Sequence, residues 1–167
     1  SYQVAGTVGL MMAKILKVKN QQSLRCAVDL GVAMQLTNIS RDVIEDKKRN
    51  RAYIKASFDS IRETIFLADI FYQSAFPAIK NIPILSRFAI LVARRIYKRI
   101  GHEILSQGNI ETYNSAGKIY VSVLGKTVET FLSFLDFMRL FFVNSSEQEK
   151  QNERIMLHKE INLDERI

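Results

Sequence analysis

The stretch Gln35-Leu36-Thr37-Asn38-Ile39-Ser40-Arg41-Asp42-Val43-Ile44-Glu45-Asp46 sets polar groups four residues apart inside a run that is otherwise apolar at helical period. On a helix of 3.6 residues per turn, Asn38, Asp42 and Asp46 share one face, with Glu45 a step to the side. One amide and two carboxylates aimed in one direction are oxygen ligands for a hard divalent cation. Mg²⁺ commonly keeps some of its waters and gives its remaining positions to substrate phosphates. The row therefore reads as half of a site that holds a diphosphate through metal, with Asn38, Asp42 and Asp46 as the metal ligands, Mg²⁺ as the ion and Mn²⁺ as its substitute.

Working outward, Leu24, Ala27, Val28, Gly31, Met34 and Gln35 carry the same period upstream, so one helix from about Gln22 to Asp46 is expected, capped in the Asn20–Ser23 break. Its acidic end continues a core stripe, where unpaired carboxylates pay a large desolvation penalty unless a cation compensates them. Acidic residues four apart also occur on solvated faces, and Arg41, Lys47, Lys48 and Arg49 stand close enough to pair with them. The spacing alone leaves both readings open.

The segments around the ladder narrow the choice. Val4-Ala5-Gly6-Thr7-Val8-Gly9 lies upstream, Leu30-Gly31-Val32-Ala33-Met34-Gln35-Leu36-Thr37-Asn38 leads into the ladder, and Arg51-Ala52-Tyr53 follows it. Together they resemble the squalene and phytoene synthase family, the head-to-head isoprenoid synthases, in the segments around that family's second aspartate-rich motif. The likeness runs from residue 2 to about residue 130. It implies an all-α isoprenoid-synthase bundle and an Mg²⁺-dependent prenyltransferase that joins two farnesyl or geranylgeranyl diphosphates through a cyclopropylcarbinyl diphosphate to phytoene or a squalene-like product.

The resemblance also implies roles. Asp42, Asp46 and Tyr97 would be catalytic; Gln35, Asn38, Arg41, Arg51, Tyr53, Lys118 and Lys126 would contact substrate; Gly6 and Val8 would lie along a prenyl tunnel. Arg51 can bond phosphate oxygens as a planar fork, and Tyr53 can donate one bond. Lys118 stands where relatives usually have arginine; lysine keeps the charge and loses the planar fork. Val123, Leu124 and Gly125 replace basic residues there.

The family's first aspartate-rich motif normally precedes the Val-Ala-Gly-Thr-Val-Gly segment, and no second row in an apolar helical setting occurs in this sequence. The expectation is therefore the carboxyl-terminal half of an enzyme, inactive alone, whose partner is the amino-terminal half of the same protein. The rival is a noncatalytic, membrane-peripheral scaffold on the same fold.

At 167 residues the chain is one domain by length, with 47% apolar and 25% charged residues. Seven glycines and two prolines among helix-period patterns point to an all-α fold of about five main helices over residues 1–143, with a polar tail over 144–167. The net charge of +7 is spread along the chain without a nucleic-acid module, so an anionic substrate or anionic membrane surface is the expected partner and nucleic acid is not. A lone Cys26 fits a reducing, cytoplasmic setting, with peripheral membrane contact left open.

Downstream, residues 47–57 read as a basic loop. A third helix is expected from Asp59 or Ser60 to about Phe76, a fourth from Pro83 to about Ser106, a loop over Gln107–Gly117, and a fifth helix over Lys118–Phe142. The aromatic stripe of that last helix, Phe131, Phe134, Leu135, Met138, Phe141 and Phe142, is expected in a core or an interface.

Overall fold

A computed structural model describes residues 1–143, and the expected polar tail lies outside them. The described residues form seven α-helices and two shorter helical turns, with no strand among them. A single wide turn over Tyr2–Gly6 leads into α1 (Thr7–Ile15), and α2 (Gln21–Arg41) follows. The Asn20 side chain caps α2 by accepting the Ser23 amide at 3.0 Å, one of the donors a helix start leaves unpaired.

The expected single helix from Gln22 to Asp46 is interrupted. α2 stops at Arg41, and Asp42 takes φ −103° and ψ 12° before α3 (Val43–Lys48). The Tyr113 hydroxyl sits 2.9 Å from the carbonyl oxygens of both Ser40 and Arg41, supplying a donor to carbonyls at the end of α2. The interruption does not turn the ladder away, because the Asp42 amide still reaches the Asn38 carbonyl at 2.9 Å and the Asp46 amide the Asp42 carbonyl at 2.8 Å.

After the basic loop, Ser57 caps α4 (Phe58–Ala75), and a tight 3₁₀ turn over Phe76–Asn81 takes up Pro77. α5 (Ile84–Leu105) starts directly after Pro83. Two expectations fail beyond it. The Gln107–Gly117 loop contains a short helix, α6 (Ile110–Ala116), capped by Asn109 accepting the Thr112 amide at 2.8 Å. The last helix, α7 (Val123–Arg139), begins five residues later than expected. Ile119 and Val121 are buried and Tyr120 between them is exposed, so the entry runs extended at period two until the Ser122 side chain caps α7.

The central helix is α2, which packs against α1, α4 and α5. Its inner stripe, Leu24, Val28, Val32 and Ala33, joins Leu10, Ala13, Ala68, Phe71 and Tyr72 in the main core. A second cluster ties Val43 to α4, α5 and the buried ring of Tyr113, which anchors the base of the acidic ladder. A third is small: Phe76, Ile79, Leu91 and Leu140.

The aromatic stripe of α7 is not in a core. Phe131, Phe134, Leu135, Met138, Phe141 and Phe142 are all exposed, whereas Glu129 and Ser133 of the same helix are buried. Arg95 of α5 explains the inversion, because its guanidinium bonds Glu129 at 2.8 Å and Asp136 at 2.9 Å and so draws the polar side of α7 inward.

Candidate functional site

An apolar cavity of about 400 Å³ follows one side of α2. Ser23, Ala27, Gly31, Gln35 and Asn38, roughly one turn apart, form its α2 wall, which spans roughly 22 Å at 1.5 Å per residue. Val8, Gly9 and Met12 of α1 and Ala93 and Tyr97 of α5 line it as well. The wall is mostly apolar and small, and the polar groups Gln35, Asn38 and Tyr97 are spaced along it.

Gln35 and Asn38 also belong to a second, polar hollow of about 240 Å³, with Ile39, Arg41, Asp42, Asp46 and Tyr53. The two hollows therefore share a boundary, and Asn38 stands on it. Its side-chain oxygen is buried and accepts no hydrogen bond. A buried acceptor without a donor carries a desolvation cost of about 1–3 kcal/mol unless something bound there supplies a positive partner.

Asp42 is differently placed. Arg41 clasps it with two bonds, Nε to Oδ1 at 2.9 Å and Nη2 to Oδ2 at 3.1 Å, and Lys118 Nζ lies 3.3 Å from Oδ1. Lys118 also donates to Glu45 at 3.0 Å. Burial by itself would lift the Asp42 carboxyl, but the Arg41 fork and the Lys118 charge more than offset it and hold the group below its ordinary value of 3.8. The same bond raises the Arg41 guanidinium, and the bond to Glu45 raises the Lys118 ammonium. Asp42 is thus a fixed anion in a cationic collar.

The remaining expected residues divide. Arg51 is exposed and lines, with Asp46 and Tyr53, a shallow hollow of about 310 Å³ beside the ladder; its amide bonds the Asp46 carbonyl at 2.8 Å. Tyr53 bridges this hollow and the polar one. Gly6 is absent from the cavity wall: a Cβ there would meet Tyr2 and Val28, so its smallness serves packing against α2. Lys126 is exposed on the first turn of α7 and lines neither of the hollows that Asn38 joins.

Sequence reasoning missed Tyr113, which holds the carbonyls next to Asp42. Asn109 followed three residues on by Thr112, with Ile110 and Tyr113 at helical spacing, was the available signal. Sequence reasoning gave Lys118 as a substrate contact; here the ammonium bonds the ladder itself.

Among the described residues no three His, Cys, Asp or Glu side chains converge closely enough to hold an ion unaided. Asn38, Asp42 and Asp46 nonetheless fit a hard cation by donor chemistry, since Mg²⁺ is typically bound by one or two carboxylates and completed by water and substrate phosphate. The orphaned Asn38 oxygen is an observed acceptor on that row.

An all-α bundle whose apolar cavity ends on an amide and two carboxylates is of the isoprenoid-synthase type. The sequence model described as "Squalene/phytoene synthase" matches residues 1–58. The 15-cis-phytoene synthase of Enterobacter agglomerans is 34% identical over 129 residues, covering 65% of this chain and 44% of that protein. That of Pantoea ananas is 34% identical over 128 residues, 64% of this chain and 41% of that protein. A phytoene synthase of Thermus thermophilus is 60% identical over 53 residues, 32% of this chain and 18% of that protein. Over residues 1–58 by that model, and over about two thirds of its length by the first two of these relatives, the chain is similar to the squalene/phytoene synthases. It spans about two-fifths of the length of the curated relatives it matches.

Proposed function

We propose that this chain carries the second acidic row of a head-to-head prenyltransferase, which condenses two prenyl diphosphates through a cyclopropylcarbinyl diphosphate to phytoene or a squalene-like hydrocarbon. The observation that carries the reading is Asn38: its unpartnered buried oxygen stands where the apolar cavity meets the hollow of Asp42 and Asp46. A ligand with an apolar chain and an anionic head carried on a divalent cation fits that junction.

The demanding step for such a substrate is ionisation of an allylic diphosphate, in which the leaving group gathers negative charge while the carbocation must be kept from water. Asn38, Asp42 and Asp46 would hold Mg²⁺, which would supply Lewis-acid neutralisation of the leaving diphosphate. Arg51 and Tyr53 lie beside the row and donate to phosphate oxygens; Lys118, now shared by Asp42 and Glu45, balances the charge that enters. The cavity along α2 takes the prenyl chain, excludes water and leaves Tyr97 and Gln35 as the polar groups nearest the reacting carbons. The relatives named as phytoene synthases support this substrate class.

Binding of a prenyl thiodiphosphate to this chain, measured with and without Mg²⁺, tests the reading. Affinity should rise with Mg²⁺ and fall at least tenfold in Asp42→Ala and in Asp46→Ala, about 1.4 kcal/mol or more. Metal-independent binding, or binding indifferent to both substitutions, would overturn it. The Arg41 and Lys118 collar around Asp42 is the observation on the side of a noncatalytic scaffold, and that second outcome is the one such a scaffold gives.

A further inference from the structure

We propose that Lys118 is an exchangeable counter-ion: its ammonium holds Asp42 and Glu45 until a divalent cation arrives and then moves to the diphosphate, so that metal and diphosphate bind as a coupled pair. The inference rests on the metal reading of Asn38, Asp42 and Asp46 above, and adds to it a residue that controls when the metal can enter.

The turn at Gly117, φ 66°, opens an extended run in which Ile119 and Val121 are buried. At period two, Lys118 and Tyr120 point the other way, and the Lys118 side chain reaches across to the ladder. Its Nζ lies 3.0 Å from Glu45 Oε2 and 3.3 Å from Asp42 Oδ1. The backbone at residue 118 is thereby pinned by its buried neighbours, while the flexible methylene stem can still swing the charge.

Asp42 is nearly saturated. Oδ1 takes Arg41 Nε at 2.9 Å as well as Lys118, and Oδ2 takes Arg41 Nη2 at 3.1 Å. A carboxylate oxygen has two lone pairs, so Oδ1 has none left for a metal. Asp42 and Glu45 carry two negative charges and Arg41 and Lys118 two positive ones, so a dication entering here meets a neutral group with like charges beside its ligand. One cation has to leave before Oδ1 can reach a metal. Arg41 is held by a planar two-bond fork and its side chain is 16% exposed, whereas Lys118 offers a single ammonium and is 31% exposed. Lys118 is the one that goes. An ammonium displaced without a new partner makes metal binding costly, and a diphosphate arriving with the metal supplies oxygens for it. Each ligand then raises the affinity for the other by the same factor.

The test uses Mn²⁺ in place of Mg²⁺, with free Mn²⁺ counted by electron paramagnetic resonance and no phosphate present. Lys118→Met should bind Mn²⁺ about fivefold more tightly than the parent chain, and Lys118→Arg, which keeps the charge, no more tightly than the parent. Inorganic pyrophosphate, titrated calorimetrically at one saturating Mg²⁺ concentration, should bind Lys118→Met about fivefold more weakly. A residue that only supports the fold would lower both affinities together. That result, or a Mn²⁺ affinity that Lys118→Met leaves unmoved, would overturn the proposal. In the unsubstituted chain, the ¹⁵N signal of the Lys118 ammonium should shift on addition of Mg²⁺ and again when pyrophosphate follows; a signal indifferent to Mg²⁺ would overturn the proposal even if Lys118→Met failed to fold. Loss of Mg²⁺-dependent thiodiphosphate binding with the opposed shifts of Lys118→Met intact would count against the reaction alone.

Discussion

The Tyr113 hydroxyl has one hydrogen to give and two carbonyl oxygens, of Ser40 and Arg41, each at 2.9 Å. It thereby serves the peptide units that set the direction of Asp42. Burial pushes this phenol from 10.0 up to about 12, with the Asp42 charge adding to the rise. A folded value above the unfolded one means that the contribution to stability is fully present below pH 10 and is lost as pH rises through about 12. Tyr113→Phe keeps the ring in its cluster and removes the donor, so unfolding free energy should drop by about 1–2 kcal/mol. The same variant should lose the alkaline decline in denaturant-measured stability that is attributable to this phenol, and its Mg²⁺-dependent affinity for a prenyl thiodiphosphate should weaken several-fold. A purely structural role would leave that affinity unchanged. The ladder itself was readable from spacing, because the four-residue interval survives the break at Asp42. The collar was not, because Lys118 lies more than seventy positions from Asp42 and Glu45 in the chain and only tertiary packing brings them together.

Between α1 and α2 the contact is backbone against backbone. A Cβ on Gly9 would fall onto the Ala27 carbonyl, and one on Gly31 onto the Ala5 carbonyl, both far inside contact distance. The pair of glycines therefore fixes how closely the cavity's two walls approach, a packing role that Gly6 shares against Val28. Gly31→Ala gains intrinsic helix preference of up to about 1 kcal/mol, yet must push the Tyr2–Gly6 turn that leads into α1 away, which costs about 1–3 kcal/mol or more. The net expectation is a lower melting temperature and, because Gly31 lines the cavity, weaker binding of the prenyl chain; an unchanged or higher melting temperature would show that α1 and α2 are not held at this distance in solution. Helices α2, α4 and α5 lie close to where period and caps put them. α6 and the start of α7 do not, because Asn109 and Ser122 act as caps inside segments whose glycine, asparagine and β-branched residues read otherwise.

Stability is unevenly shared across the bundle, and α7 is the part held most by charge. α2 presents a continuous apolar stripe to α1, α4 and α5, whereas the buried positions of α7 itself are Glu129 and Ser133, with Leu140 just past its end. Its principal ties to α5 are the Arg95 bonds to Glu129 and Asp136, with Arg94 a further 3.7 Å from Asp136. Helices with few buried apolar contacts open locally at lower free energy than the core they rest on. Amide hydrogen exchange should therefore be faster along α7 than along α2 in the free chain. Arg95→Ala leaves two carboxylates of which Glu129 is buried, at a cost of about 2–3 kcal/mol once the partial exposure of Arg95 is discounted. That cost falls on the α5–α7 contact, so exchange in α7 should approach that of an unstructured segment while α2 keeps its protection. If α7 in the free chain proved as protected as α2, the charge-held helix would have to be abandoned.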